Sequence, residues 1–187
     1  MEKTINFSVI IPLFNKENYI EKTLKSVLVQ TCTNFEVIIV NDGSTDNSYE
    51  TVKKINDDRI KIFSKKNEGV SIARNYGIEK AKNEYLSFID ADDFWSPTYL
   101  ESISKLIQLY PNAGIYSTTY FIVNKYTNDV NINTKNNICQ VEETILIHDY
   151  CKALVKEEII PLWTGAICTK RSIIIESGLF PPGVKRG

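Results

Sequence analysis

Asp42, Asp90, Asp92 and Asp93 are the residues most able to do chemistry in this chain, because each follows an apolar run that reads as a buried strand. The spacing Asp90-Ala91-Asp92 lets one turn present two carboxylates to a single centre. Four carboxylates converging at one edge need a cation, and hard oxygen donors of this kind select Mg²⁺ or Mn²⁺ over zinc. An isolated pair of this spacing is weak evidence, since aspartate is common at turns and helix starts and Asp93 could cap the turn leading to Pro97. Its place after the strand run Tyr85 to Ile89, with Asp42 ending a second run, shifts the balance toward a site.

The elements that must position these residues alternate. Phe7 to Leu13 is an almost unbroken apolar run, as expected of a strand covered on both faces. Ile20, Leu24, Val27 and Leu28 then recur at helical spacing. Phe35 to Val40 predicts the second strand, a helix starting near Thr45 follows, and Arg59 to Phe63 predicts a short third strand. The spacing then predicts a helix from Gly69 to Lys82, a strand from Tyr85 to Ile89 and a helix from Pro97 to Tyr110. Such alternation implies an α/β fold with a mainly parallel central sheet flanked by helices, whose ligands bind beyond the carboxyl ends of the strands. Beyond Ala113 the pattern predicts a strand over Gly114 to Val123 and a loop or hairpin over Asn124 to Asn137. A short helix over His148 to Lys156, a strand over Thr164 to Thr169 and a last helix over Lys170 to Ser177, closed by Gly178, complete it.

Composition excludes several classes. The 187 residues are 43% hydrophobic, enough for one core that buries about 70% of the unfolded surface. A net charge of -1 with mixed signs offers no basic stripe, so nucleic acid is not an expected partner. The 4 cysteines form no CxxC pair and there is 1 histidine, which argues against structural zinc or a disulfide framework and suits a reducing cytoplasm. No apolar stretch is long enough for a signal peptide or a membrane span, so a soluble cytoplasmic domain is expected.

Several separated motifs together resemble the family-2 glycosyltransferases of the GT-A fold. They are Val9-Ile10-Ile11-Pro12-Leu13-Phe14-Asn15, Val40-Asn41-Asp42-Gly43-Ser44-Thr45-Asp46, Asn67-Glu68-Gly69-Val70-Ser71-Ile72-Ala73-Arg74-Asn75 and Phe88-Ile89-Asp90-Ala91-Asp92-Asp93. A looser likeness runs through Thr164-Gly165-Ala166 and Gly178-Leu179-Phe180. The resemblance implies a nucleotide-diphosphate sugar as donor, Mn²⁺ or Mg²⁺ as cofactor, and inversion at the sugar carbon during transfer to a sugar or lipid-linked saccharide acceptor. It also implies that Pro12 and Asn15 line the nucleotide pocket, that Asp42 accepts a hydrogen bond from the base, and that Gly69, Arg74 and Asn75 belong to the donor site. Asp90 would reach the ribose and Asp92 would ligate the metal. A carboxylate only accepts, so Asp42 favours uracil or thymine, which offer N3–H, over cytosine, while guanine also carries a ring N–H.

Each assignment has a structural counterpart. Asp42 in Asn-Asp-Gly-Ser could stabilise a turn, Gly69 could mark a loop end, and Arg74 could be a surface helix residue. Trp163 reads as a packing residue more than a sugar platform, and His148 as a helix-start residue. The resemblance places the catalytic carboxylate just after Gly187, so residues 1–187 are expected to be one catalytic domain cut short of its base, with Asp93 the next carboxylate to consider. Surface-polysaccharide synthesis at the inner face of a membrane, with peripheral association, is the setting it implies. A signalling receiver domain is set aside because Pro12-Leu13-Phe14-Asn15 holds no acidic pair. A nucleotidyltransferase would carry a glycine-rich basic loop where Asn15-Lys16-Glu17-Asn18 stands. A non-catalytic nucleotide-sugar binding module stays open.

Overall fold

The computed structural model describes residues 4–118, 121–123, 130–132 and 163–183. Strands β1 (Phe7–Leu13), β2 (Phe35–Asp42), β3 (Ile60–Lys65) and β4 (Tyr85–Phe88) alternate with helices α1 (Ile20–Leu28), α2 (Ser48–Lys53) and α3 (Val70–Lys80). Helix α4 (Tyr99–Leu109), strands β5 (Ile115–Ser117), β6 (Phe121–Val123) and β7 (Val130–Ile132), one 3₁₀ turn (Thr164–Ala166), strand β8 (Ile167–Lys170) and helix α5 (Arg171–Glu176) follow.

The central sheet has the order β3-β2-β1-β4-β8-β5. β3, β2, β1 and β4 run parallel, with Phe7 opposite both Phe35 and Tyr85. β8 lies antiparallel between β4 and β5. The mainly parallel sheet expected from the sequence is therefore observed, while its antiparallel flank is new.

Side-chain alternation sends the buried residues of each strand to two faces. Val9, Ile11, Val37 and Ile39 pack with Ile20, Leu24 and Val27 of α1, Val52 of α2 and Tyr99, Leu100 and Ile103 of α4. Ile10, Ile38 and Val40 pack on the other face with Ala73 and Ile78 of α3. Helix α3 sits close to the sheet, because a Cβ placed on Gly77 would lie 2.5 Å from Cγ2 of Ile10. Only glycine allows that approach, which seats the C-terminal part of α3 on Ile10 and Val40.

Most boundaries shift by a residue or two, and four differences bear on the architecture. Helix α2 starts at Ser48, not Thr45, because Asp46 Oδ1 accepts the Ser48 N–H at 2.9 Å and residues before it are engaged with the loop after β1. β3 extends to Lys65, directly opposite Asp42. The run Gly114 to Val123 divides between β5 in the central sheet and β6, which pairs with β7 in a separate antiparallel hairpin. The Thr164 to Thr169 strand begins as a 3₁₀ turn and becomes β8. The expected helix over His148 to Lys156 lies outside the described residues. No helix among the described residues is long and apolar enough to cross a membrane.

Candidate functional site

The site edge opens where β4 leaves β1. Ile89 N–H donates to Ile10 O at 3.2 Å, and Asp93 N–H then closes a turn onto Asp90 O at 3.0 Å. Pro12 stands two residues beyond Ile10, so its nitrogen faces the side from which β4 has departed, where no ladder donor is needed. The β1–β4 pairing ends before Pro12, so the two strand ends part at the position where open α/β sheets form a ligand crevice. It is also where the chain reverses direction across the sheet, from β1-β2-β3 to β4.

Asp42 ends β2 and is 2% exposed. Its Oδ1 accepts from Lys65 Nζ at 3.0 Å and from the Glu68 N–H at 3.1 Å, and its Oδ2 accepts from the Gly69 N–H at 2.8 Å. A carboxylate has about four acceptor positions, and these three bonds leave one on Oδ2. Gly69 stands at φ 97, a conformation open to glycine, and begins α3 with its N–H held by this carboxylate. The negative charge also lies at the positive end of α3. The Lys65 ammonium loses stabilisation through burial, but Glu68 and Asp42 outweigh that and hold its pKa above the ordinary lysine value.

Asp90 and Arg74 meet across the crevice. Arg74 Nη2 donates to Asp90 Oδ1 at 2.6 Å, Arg74 is 5% exposed, and its Nε has no hydrogen-bond partner. The guanidinium also lies 5.3 Å from the centre of the Phe180 ring. Asn75, the next residue, donates from Nδ2 to Phe180 O at 2.9 Å and accepts the Phe180 N–H on Oδ1 at 2.9 Å. Its amide therefore anchors the segment after Gly178, using one of its two N–H donors and one acceptor position of its oxygen.

Asp92 and Asp93 diverge within one turn. The Asp92 carboxylate is half-exposed and receives the Lys16 ammonium from the loop after β1. Asp93 Oδ2 accepts from Trp163 Nε1 at 3.0 Å. Burial pushes the Asp93 carboxyl above its usual value, and the charges of Asp90 and Asp92 add to that against the pull of the indole N–H. The turn is held from behind, where buried Thr23 donates to Ala91 O at 2.9 Å and Trp95 Nε1 donates to Gly165 O at 2.6 Å.

The loops after β1 and β2 brace each other. Asn15, at φ 51, accepts the Thr45 N–H on Oδ1 at 2.8 Å, and its own N–H donates to Ser44 Oγ at 3.2 Å. Ser48 Oγ accepts the Lys16 N–H at 2.7 Å, and Glu17 accepts the Asn47 N–H at 2.9 Å.

The candidate site residues Pro12, Asn15, Asp42, Gly69, Arg74, Asn75, Asp90, Asp92 and Asp93 thus lie along one edge, while His148 is outside the described residues; the four aspartates do not pool their charge. Asp42 pairs with Lys65, Asp90 with Arg74, Asp92 with Lys16, and Asp93 with Trp163. The expected convergence of four carboxylates on one cation is corrected accordingly: among the described residues no group of three or more acidic, histidine or cysteine side chains is arranged to hold a metal. The donor chemistry still fits one. Asp92 is an open, hard oxygen ligand already receiving a cation, and Mg²⁺ is commonly held by one or two carboxylates completed by substrate phosphates and water. Lys16 and Lys65 were not singled out as site residues from the sequence, where a lysine carries no distinguishing signal, and Phe180 entered only as part of the looser Gly178-Leu179-Phe180 likeness, with no role at the site.

The glycosyl transferase family 2 model matches residues 8–176, and the chain belongs to that family. It is 44% identical over 115 residues to an uncharacterized glycosyltransferase of Rickettsia bellii, a match covering 61% of this chain and 16% of that protein. Glycosyltransferase GlyA of Streptococcus pneumoniae is 40% identical over 120 residues, covering 63% of this chain and 17% of its own length. The matches span less than a fifth of either relative. Among solved structures, S. aureus TarS 1–349 in complex with UDP-GlcNAc is 32% identical with TM-score 0.56, over 59% of this chain and 33% of that one. The Pyrobaculum calidifontis mannosyltransferase PcManGT, in complex with GDP-Man and Mn²⁺, superposes over 98% of this chain and 49% of its own with TM-score 0.70 at 16% identity. That last likeness speaks to the fold, which is the GT-A α/β fold.

Proposed function

We propose that this chain binds a nucleotide-diphosphate sugar, a UDP-sugar in first place, and serves an inverting transfer of the sugar to a hydroxyl acceptor. The observation that carries this reading is the Asp90–Asp93 turn at the β1/β4 crevice, with Arg74 on one side and Lys16 on the other. Asp42, with one acceptor position left, would take the N3–H of uracil. Pro12 and Asn15 shape the opposite wall. Arg74 holds the Asp90 carboxylate toward the ribose hydroxyls, and its unpartnered Nε offers one further donor. A complex of UDP-GlcNAc with the 32% identical TarS supports uridine as the base.

Asp92 would hold Mn²⁺ or Mg²⁺, which when bound neutralises charge growing on the departing diphosphate. The acceptor is a sugar or lipid-linked saccharide, and a cytoplasmic setting at a membrane face, in surface-polysaccharide synthesis, suits such an acceptor.

A thermal-shift series tests this with UDP, dTDP, GDP and CDP, each with and without Mn²⁺. Ligand at about 100 times its dissociation constant adds about 2.7 kcal/mol, a rise of roughly 5–10 °C for a chain of this size. UDP with metal should give the largest rise and CDP the smallest. If no uridine, thymidine or guanosine diphosphate moves the melting temperature under saturating metal, the proposal fails.

A further inference from the structure

Lys16 contacts the carboxylate assigned to the metal, and its backbone is immobilised. Its N–H donates to Ser48 Oγ at 2.7 Å, and its carbonyl accepts from the N–H groups of Tyr19 at 2.9 Å and Ile20 at 3.0 Å, at the start of α1. The ammonium at the end of this fixed stem meets Asp92 Oδ2. The Lys16 and Asp92 side chains are 36% and 39% exposed, so the pair can open without disturbing the core. Other charges nearby are committed elsewhere: Asp90 to Arg74, Asp93 to the Trp163 indole, and Lys22 over the Phe94 ring at 4.3 Å.

We infer that Lys16 is a resident counter-cation for Asp92, which a divalent metal must displace, and that its released ammonium then pairs with the donor's diphosphate. The inference rests on the donor-site reading and adds a residue to it. Metal arriving alone must compete with an ammonium and then leave that positive charge unpaired beside it. Metal arriving with a diphosphate supplies the released ammonium with an anion. Lys16 therefore makes metal and nucleotide bind more tightly together than either binds alone, a coupling that must be equal in both directions.

The test titrates Mn²⁺ into the chain, with and without saturating UDP, by calorimetry and by the paramagnetic signal of free Mn²⁺. It compares the unaltered chain with Lys16→Met, Lys16→Arg and Lys22→Met. Methionine keeps most of the stem, and circular dichroism melts confirm folding. Lys16→Met should tighten Mn²⁺ binding in the absence of nucleotide by about two- to fivefold, the range expected on losing a half-exposed pair. It should weaken Mn²⁺ binding in the presence of UDP, so the coupling factor falls on both counts. Lys16→Arg should keep most of the coupling, and Lys22→Met, which removes a charge near the same turn without touching Asp92, should leave it unchanged. Uridine in place of UDP should show no coupling in any variant. Equal effects of Lys16→Met and Lys22→Met, or unchanged Mn²⁺ affinity in Lys16→Met, overturn the role of Lys16 while leaving the donor site intact. Absence of UDP binding by the unaltered chain with metal overturns both.

Discussion

Replacing Asp42 by asparagine removes the charge facing Lys65 and keeps one oxygen for the loop before α3. The Asp42 and Lys65 side chains are 3% and 12% exposed, and breaking a buried pair from one side costs about 3–5 kcal/mol. Glu68 stays 2.6 Å from the same ammonium, which places the loss near the low end, at about 3 kcal/mol. At about 2–4 °C per kcal/mol for a chain of this size, the melting temperature should fall by roughly 6–12 °C. Lys65→Met leaves Asp42 with the N–H groups of Glu68 and Gly69, so its loss should be smaller, about 1–2 kcal/mol. The double variant should be less destabilised than the sum of the singles by about 1–3 kcal/mol, as contacting residues are. Urea melts followed by circular dichroism, without metal or nucleotide, give all four values. Additivity within about 0.5 kcal/mol would refute the claim that the two side chains act together.

Three further outcomes follow from the same geometry. The folded-state pKa of Asp93 is raised, so its ionised form costs stability above that pKa, and the cost disappears as pH falls below the unfolded value of about 3.9. Asp93→Asn should therefore raise the melting temperature at neutral pH, with the gain vanishing near pH 4; an equal gain at both pH values would contradict the assignment. Gly77→Ala would stabilise an open helix by about 1 kcal/mol, but here its Cβ meets Ile10 at 2.5 Å and overpacking costs about 1–3 kcal/mol. Its melting temperature should not rise, and a clear rise would show that α3 has room. Asn75→Ala should speed hydrogen exchange of the Phe180 amide severalfold while leaving the Ala73 amide within α3 unchanged, since only the former is held by Asn75; equal rates in both proteins would remove Asn75 as the anchor.

The parallel half of the fold was legible because strands covered on both faces leave apolar runs, and Phe7–Leu13 and Phe35–Asp42 are buried at every position. The insertion of β8 between β4 and β5 was not, since four residues reading Ile-Cys-Thr-Lys do not say which strand they pair with or in which direction. The aspartates were legible as a group and not as individuals. What separates them is the partner of each: Arg74 was marked by the resemblance, but Lys16 and Lys65 resemble any solvated cation in a sequence. Lys65 becomes distinguishable only once the β2/β3 register sets it opposite Asp42. Asn75 and Phe180 are 105 residues apart, beyond the reach of any local pattern.

The position of β8 also shapes how the chain reaches its native state. Tyr85 on β4 pairs with Lys170, and Ile115 on β5 pairs with Thr169, so β5 has no neighbour in the sheet, and β4 none on the side away from β1, until residue 170 has been synthesised. A nascent chain can assemble β1 to β4 from near-neighbour pairings, yet it must then carry an open, apolar strand edge at Tyr85–Phe88 through the synthesis of about eighty more residues. Closing so long a loop is slow, and unpaired edges invite association with other chains. Yield on refolding should therefore depend steeply on protein concentration, and the period before β8 docks is when a chaperone would matter most to this molecule.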